Sequence, residues 1–422
     1  MADRPTPDRP PRVLVISAAF PPMLAGEAGH ALHLAWRLAN RGLDVSLLTT
    51  ARPGTRNHYP FTVLPAMPDW SWRHARTLGR VFRDQNPDAI LLIYAGWNYA
   101  YHPLITYAPL LARRYAPAAR FVTQVECPGG AVPARTGLVQ RTISRAVRAA
   151  LGGDYHYGKL LTESHGLIVL SHAHLAELAV NHTKVISHAE VFPPAPLITL
   201  QSNYNGQARR DGRRQLGFTA DDFVLAFNGL VGPSRGLPTL LRAFATAARM
   251  MPSLRLAIIG GPSDHIPEHA AHLAELKQLA TATGIESRVA WTGAFDPAQP
   301  LASRCLWAAD AAVLPWDDGV HMNNSSVANA AVHHLPIITT EPRLLEPIFT
   351  DGDNVLLVPP KNAEQLAQAI LRVASDPHLR ARLTHGAAQL ERDWYDWDSV
   401  LDRTLRVLAL PTHGVESFAA AA

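Results

Sequence analysis

An α/β protein of two doubly wound parallel layers is predicted by three features of the chain. Short, nearly continuous apolar runs recur, stretches of helical spacing alternate with them, and the whole alternation restarts after about residue 220. The first run, Val13-Leu14-Val15-Ile16, ends in Ser17-Ala18-Ala19, the pattern of a strand buried on both faces. Ala28, Leu32, Ala35, Leu38 and Ala39 follow at helical spacing, and Gly42 stands where a left-handed cap costs least. Asp44 to Leu48 makes the second strand. The alternation continues with a strand at Ala89 to Ile93, a helix from Tyr101 to Tyr115, a strand at Arg120 to Val125, a helix near Gln140 and a strand at Gly166 to Leu170. Gln201 to Arg214 is polar and basic and is read as lying at the domain junction. Strands then fall at Phe223 to Phe227, Leu254 to Ile259, Val289 to Thr292, Ala311 to Leu314 and Pro336 to Thr339. Helices lie at Leu237 to Met250 and near Ala270, with two more, Ala363 to Ala374 and Asp398 to Leu410, closing the chain.

Composition narrows the function classes. With 18% charged and 47% apolar residues among 422, the chain has material for a large core. The net charge of +4 comes from scattered residues, nearly all arginines; the lysines are Lys159, Lys184, Lys277 and Lys361. A nucleic-acid footprint would gather charge on one face, so none is expected. Cys127 and Cys305 are too few for a disulfide framework or a zinc cluster and are read as small core residues, in keeping with a cytoplasmic location. Met1 to Arg12 lacks the apolar core of a signal peptide, and no apolar run approaches the roughly 18–20 residues of a membrane span. Peripheral contact with a membrane remains compatible with this, and the oligomeric state is left open.

Ligands of parallel sheets sit at the carboxyl ends of the strands, which makes the loops there the candidate sites. Neither Gly-x-Gly-x-x-Gly nor a Walker loop follows any strand. Gly26-Glu27-Ala28-Gly29-His30 reads as a small-residue loop, either a close-approach site or a tight turn. Asn228 to Gly236 follows a strand and contains Gly229 and Arg235, a permanently charged forked donor suited to a diphosphate. Gly260-Gly261 is a second close-approach point. The most informative stretch is Leu314 to Ser326, where Asn323, Asn324, Ser325 and Ser326 exceed what a single helix cap needs. Asp318 reads either as an acid for that site or as the start of a turn with Gly319. His265, His269 and His272 are read as a solvent-facing helix stripe rather than a metal triad, and no metal site is expected. Trp70-Ser71-Trp72 and Trp97 to Tyr101 are aromatic clusters suited to either sugar stacking or core filling.

Over nearly its whole length the chain resembles the retaining glycosyltransferases of family 4. The likeness rests on Phe20-Pro21-Pro22 with Gly26 and Gly29, Leu38 to Val45, Gly229, Arg235-Gly236, Gly260-Gly261, Trp291-Thr292-Gly293, Leu335 to Thr340 and Gly352-Asp353-Asn354. It implies the GT-B fold, two facing Rossmann-like domains with a cleft between them. The expected division is a disordered tail over 1–11, an acceptor domain over 12–200, a nucleotide-sugar domain over 201–392 and, over 393–422, a helix crossing back to the first domain plus a tail. The resemblance places Arg235 on the diphosphate, Met322 to Ser326 at the phosphate-holding loop, and Gly29 in the loop that closes over the donor.

Four positions, in three motifs, depart from the family's pattern. Its paired glutamates fall on His321 and Asn329, its arginine after the donor-loop glycine falls on Leu230, and its first-domain histidine falls on Val125. His321 and Asn329 still carry donors and acceptors for sugar or ribose hydroxyls. Glu126 is the first-domain polar candidate, as a functional group or as a strand-end cap. The expected activity is hexosyl transfer with retention, in glycan biosynthesis or on a lipid or small metabolite. The donor is a nucleotide-diphosphate sugar, the acceptor a hydroxyl, and no cofactor or metal takes part. The catalytic candidates are Arg235, His321 and Glu126, with Gly26, Gly29, Gly229, Gly260, Asp318, Gly319, Asn323 to Ser326 and Asn329 binding substrate. The alternatives on the same fold are a non-catalytic binding or scaffold protein, an epimerase and a phosphorylase.

Overall fold

The computed structural model describes residues 9–23, 25–126, 156–200, 206–263, 266–295 and 299–412; the helix expected near Gln140 and Cys127 fall outside them. The chain divides into two compact units, Met1–Phe192 with Leu401–Ala422, and Pro193–Val400.

The first unit begins with β1 (Arg12–Ile16), α1 (Gly26–Asn40), β2 (Asp44–Thr50), β3 (Thr62–Met67) and α2 (Ala75–Gln85). It continues through β4 (Ala89–Tyr94), α3 (Pro103–Thr106), α4 (Ala108–Tyr115), β5 (Arg120–Val125), α5 (Leu160–Glu163), β6 (Gly166–Val169), α6 (His172–Asn181) and β7 (Ala189–Val191). Among the described residues its seven strands are all parallel, in the order β3-β2-β1-β4-β5-β6-β7. β4 is buried at every position, as its unbroken apolar run requires in a sheet covered on both faces. The apolar stripe Ala28, Leu32, Ala35, Leu38 of α1 is buried as its spacing predicts. The helix expected from Tyr101 to Tyr115 is two helices, because Tyr101 sits at φ +54 and Tyr107 leaves helical geometry between α3 and α4.

The second unit holds α7 (Gly206–Leu216), β8 (Phe223–Asn228), α8 (Leu237–Met250), β9 (Leu254–Ile259), α9 (Pro267–Ala282) and β10 (Val289–Trp291). After these come α10 (Leu301–Trp307), β11 (Ala311–Leu314), α11 (Ser325–Ala331), β12 (Ile337–Thr340), β13 (Leu356–Val358), α12 (Ala363–Ser375) and α13 (Pro377–Leu390). Among the described residues its six parallel strands run in the order β10-β9-β8-β11-β12-β13. The last described helix is α14 (Trp397–Leu408); from Leu401 on it belongs to the first unit, where Asp402 pairs with Arg41 at 3.0 Å and Val407 O accepts from Arg120 at 2.7 Å.

The polar segment from Gln201 to Arg214 is, from Gly206 on, part of α7, in the second unit. Ala208, Gly212, Arg213 and Leu216 lie on its buried face, so helical spacing is present but carried by small and charged residues. That composition hides an amphipathic face from a reading based on apolar periodicity.

Strand order reverses between β1 and β4 in the first unit and between β8 and β11 in the second. The loops leaving those strands diverge there, opening a crevice in which parallel sheets bind ligands.

Candidate functional site

In the second unit two loops flank that switch point: residues 229–236 after β8 and 315–324 after β11. They are tied together, with Asp317 N donating to Ser234 O at 3.2 Å. Gly229, at φ +131, is so close to α11 that a Cβ there would lie 2.7 Å from Ser326 Oγ. Gly260, at φ +136, lies against Gly229, its N–H taken by Thr292 Oγ1 at 3.1 Å. These glycines leave backbone, not side chains, at the strand ends.

Three polar atoms here are buried without a hydrogen-bond partner among the described residues: Nδ1 of His321, Oδ1 of Asn323 and Oδ1 of Asn329. Buried polar atoms are normally satisfied, so three orphans within nine residues mark a place where a ligand can complete the network. Asn329 is oriented for it: its amide donates to Asn228 Oδ1 at 3.1 Å, Asn228 donates to Ser326 O at 3.2 Å, and Oδ1 is left as an acceptor. Behind it, His333 bridges Asn329 O at 2.6 Å and Ser303 Oγ at 2.8 Å, and burial lowers its pKa to about 4. Asn324 does not cap α11; its Oδ1 accepts from His321 N at 2.6 Å and closes the 321–324 turn. The amides of Ser325 and Ser326 therefore enter the first turn with no helix carbonyl to bind.

The acid of this site is Glu346, which the sequence reading missed. Its side chain is fully buried, with Oε1 3.7 Å from His321 Nδ1 and 3.4 Å from Met322 N. The signal available in sequence was a carboxylate set in Leu344-Leu345-Glu346-Pro347-Ile348. Asp318, the candidate substitute, is exposed in the turn from Trp316 to Gly319, which directs it to solvent. Glu346 also raises Tyr395, after burial, well above the usual phenol range, and the Tyr395 hydroxyl donates to Met322 O at 3.0 Å.

Arg235 closes a short turn from Pro233 and is half-buried. His269 packs against the same loop at Gly232 and is buried rather than solvent-facing as the stripe reading held: its Nε2 is the nearest atom to a Cβ at Gly232, at 3.0 Å. Burial, and then the Arg235 charge, push the His269 pKa down, which favours the neutral imidazole. His265 lies outside the described residues, and among those described no group of His, Cys, Asp and Glu is arranged to hold a metal. Cys305 is a buried core residue whose thiol burial raises to about 11.

The first-unit candidates gather at the carboxyl edge of its sheet. Gly26 to His30 is not a loop but the opening of α1: Gly29 is buried and its N–H already donates to Ala25 O at 3.2 Å, which removes it as a backbone donor for a ligand. What the segment brings to the edge are the side chains of Glu27 and His30. Gln124, at the end of β5, donates to His30 Nε2 at 2.7 Å and to Glu126 Oε1 at 2.6 Å. Burial raises the Glu126 carboxyl to about 7, against the opposing pull of that Gln124 donor.

A carboxyl ionising near 4.5 when unfolded and near 7 when folded penalises the native state progressively as pH rises between those values, and fully above them. Glu126→Gln is therefore expected to stabilise the chain by about 2 kcal/mol at pH 8, allowing for screening at this half-buried position, and by nothing at pH 4. Urea denaturation at the two pH values checks this; an equal gain at both would assign the effect to packing.

Comparison with known proteins places these observations. Residues 222–376 match the model of the family described as Glycosyl transferases group 1. A D-inositol 3-phosphate glycosyltransferase of Thermomonospora curvata is 31% identical over 205 residues, covering 46% of this chain and 44% of the relative. One of the same name from Kribbella flavida is 28% identical over 248 residues, 58% and 53% of the two chains. The chain thus spans about half the length of the curated relatives it matches. Among solved structures, Anabaena Alr3699/HepE in complex with UDP and glucose superposes with a TM-score of 0.69 at 14% identity, over 94% of this chain and 99% of that one. The sucrose-phosphate synthase of Thermosynechococcus elongatus gives 0.68 at 18% identity, over 94% and 98%. Residues 222–376, which include every second-unit position named from Asn228 to Glu346, thus carry the glycosyl transferases group 1 pattern, on a chain whose two Rossmann-like units have the fold of GT-B glycosyltransferases.

Proposed function

We propose that this protein is a glycosyltransferase that moves a sugar from a nucleotide-diphosphate donor to a hydroxyl acceptor, with retention at the anomeric carbon and without a metal. The observation that carries the reading is the set of orphaned buried atoms on His321, Asn323 and Asn329 beside the glycine-lined ends of β8 and β9, inside the segment with the family's pattern. Asn329 Oδ1 accepts a ribose hydroxyl, and His321, backed by Glu346, faces the sugar. Arg235 and the amides of Ser325 and Ser326 meet the diphosphate. Breaking the bond from the anomeric carbon to the diphosphate oxygen leaves negative charge on the leaving group and positive charge on the ring. Fixed donors aimed at the leaving oxygens lower that barrier more than a strong base would.

The test is binding and turnover with UDP- and GDP-sugars. A nucleoside diphosphate is expected to raise the melting temperature, and nucleotide release is expected to need an added hydroxyl acceptor and to survive chelation of divalent ions. Arg235→Ala should weaken the nucleoside diphosphate roughly 10- to 100-fold by calorimetry while leaving the free nucleoside nearly unchanged, since a charge-assisted pair is lost. No melting shift with any nucleotide would refute the donor site. Conversion of the donor sugar without acceptor would mark an epimerase, and dependence on inorganic phosphate a phosphorylase.

A further inference from the structure

The polar cluster of the first unit has a composition that selects its ligand. Glu27 stands on the first turn of α1 and accepts from the Trp97 indole N–H, in the loop after β4; Glu126 lies just past β5. Because both Gln124 N–H groups are used as donors, His30 Nε2 must accept and the imidazole proton resides on Nδ1. That Nδ1 is buried, in a residue only 2% exposed, and has no partner among the described residues, so a buried donor belongs to the same cluster as the two carboxyls. Trp97 and Tyr101, on the loop leaving the β1/β4 switch point, are 41% and 44% exposed, whereas Tyr99 between them is buried at 1%.

The charge balance is one-sided. His30 is kept neutral, burial lowering its pKa to about 4, and among the described residues no arginine or lysine acts on Glu27, His30 or Glu126. Carboxylates and an imidazole N–H suit hydroxyls, and exposed aromatic faces suit the C–H face of a saturated ring. A phosphate, carrying about −1.5 to −2 at neutral pH, would meet two carboxyls whose ionised form repels it, and among the described residues no arginine or lysine acts on them to offset that.

We propose that this edge of the first unit binds an uncharged, hydroxyl-rich ring, a sugar or cyclitol without a phosphate, with Trp97 and Tyr101 against its face and Glu27, Glu126 and His30 on its hydroxyls. The inference deepens the transferase reading by naming the class of acceptor, and it rests on that reading for the word acceptor alone. Gln124 is a positioning residue that orients His30 and Glu126. The relatives named for D-inositol 3-phosphate make the phosphate the discriminating feature.

Saturation-transfer NMR and calorimetry on the full chain at pH 8, without nucleotide, test it with four probes: myo-inositol, glucose and the monophosphate of each. The unphosphorylated ring of one or both pairs is expected to bind, with its monophosphate at least tenfold weaker. Trp97→Ala should weaken that binding about tenfold or more, and Glu126→Gln should narrow the gap between a ring and its phosphate. The melting shift given by a nucleoside diphosphate reads the second unit, so it shows that the variants are folded and scores the donor reading separately. Binding of a monophosphate as tight as or tighter than its parent overturns the proposal. So does binding indifferent to both substitutions, and so does failure of both unphosphorylated rings to bind.

Discussion

Gly260→Ala is expected to destabilise the second unit by about 3–5 kcal/mol and to weaken nucleotide binding by at least tenfold. An added Cβ would sit 1.9 Å from Gly229 O and 2.9 Å from its carbonyl carbon, both backbone atoms that no rotamer can move aside. The turn cannot yield easily, because Gly229 N donates to Ile259 O at 2.9 Å and Gly260 N to Thr292 Oγ1 at 3.1 Å. The φ of +136 adds a strain that alanine bears and glycine does not. Any relief must displace Gly229, whose approach to Ser326 helps shape the proposed phosphate loop. Gly217 is the control: at φ +75, with nothing within 4 Å of a Cβ, its alanine variant should cost only about 1–2 kcal/mol and leave binding unchanged. Urea denaturation and calorimetry with a nucleoside diphosphate measure both effects; equal losses at the two glycines would refute the steric account.

A loss of similar size, about 3–5 kcal/mol, is expected for Asp310→Ala, with the donor site untouched. The Asp310 carboxylate accepts from Arg213 at 2.8 Å, from Val224 N at 2.7 Å and from Arg209. Arg213 is 5% exposed and also donates to Ala308 O, Thr219 O and Ala220 O, so its neutral donors are met but its charge is balanced chiefly by Asp310. Burial lowers the Arg213 pKa and the Asp310 charge opposes that shift. Removing the carboxylate leaves a buried cation and a strand amide without their partner. Changing Arg213→Met in the same background should recover part of the loss, since the uncompensated charge is then gone. Asp84→Ala, whose pair with Arg83 is more than half exposed on both sides, should change stability by about 0.5 kcal/mol or less. Chemical denaturation of the three variants decides the matter; a loss at Asp310 no larger than at Asp84 would show that the buried pair does not hold α7 to the sheet.

The arginines of α7 also show where reading by periodicity fails. Strands such as β5, β9 and β11 and the helix α8 stand at the bounds their apolar runs predict, because burial on both faces or on one stripe leaves its period in the residues themselves. α7 has the same helical burial, but its buried positions are Ala208, Gly212, Arg213 and Leu216, and Arg213 is tolerated inside only because Asp310, about a hundred residues on, meets it. β3, β7 and β13 are edge strands, the last two of only three residues, where partly exposed positions leave too weak a pattern to read.

The candidate site divides in the same way. Loop positions, glycines and the Asn-Ser stretch were legible because backbone approach at strand ends demands small and polar residues in local sequence. Which polar atoms are satisfied was not legible, since that depends on partners brought from other strands. The sequence shows His321 and Asn329 where two acids are expected; the fold sets Glu346 behind His321 and Asn228 against Asn329, returning a carboxylate to the site from another loop. Likewise Glu126 reads as a lone strand-end acid until Gln124 joins it to His30 across the sheet edge. Local residue order therefore settles the architecture of two doubly wound α/β units and the location of their loops, because hydrophobic burial is periodic along the chain. The protonation and ligand preference of the sites follow from desolvation and pairing, which exist only once distant side chains share one interior.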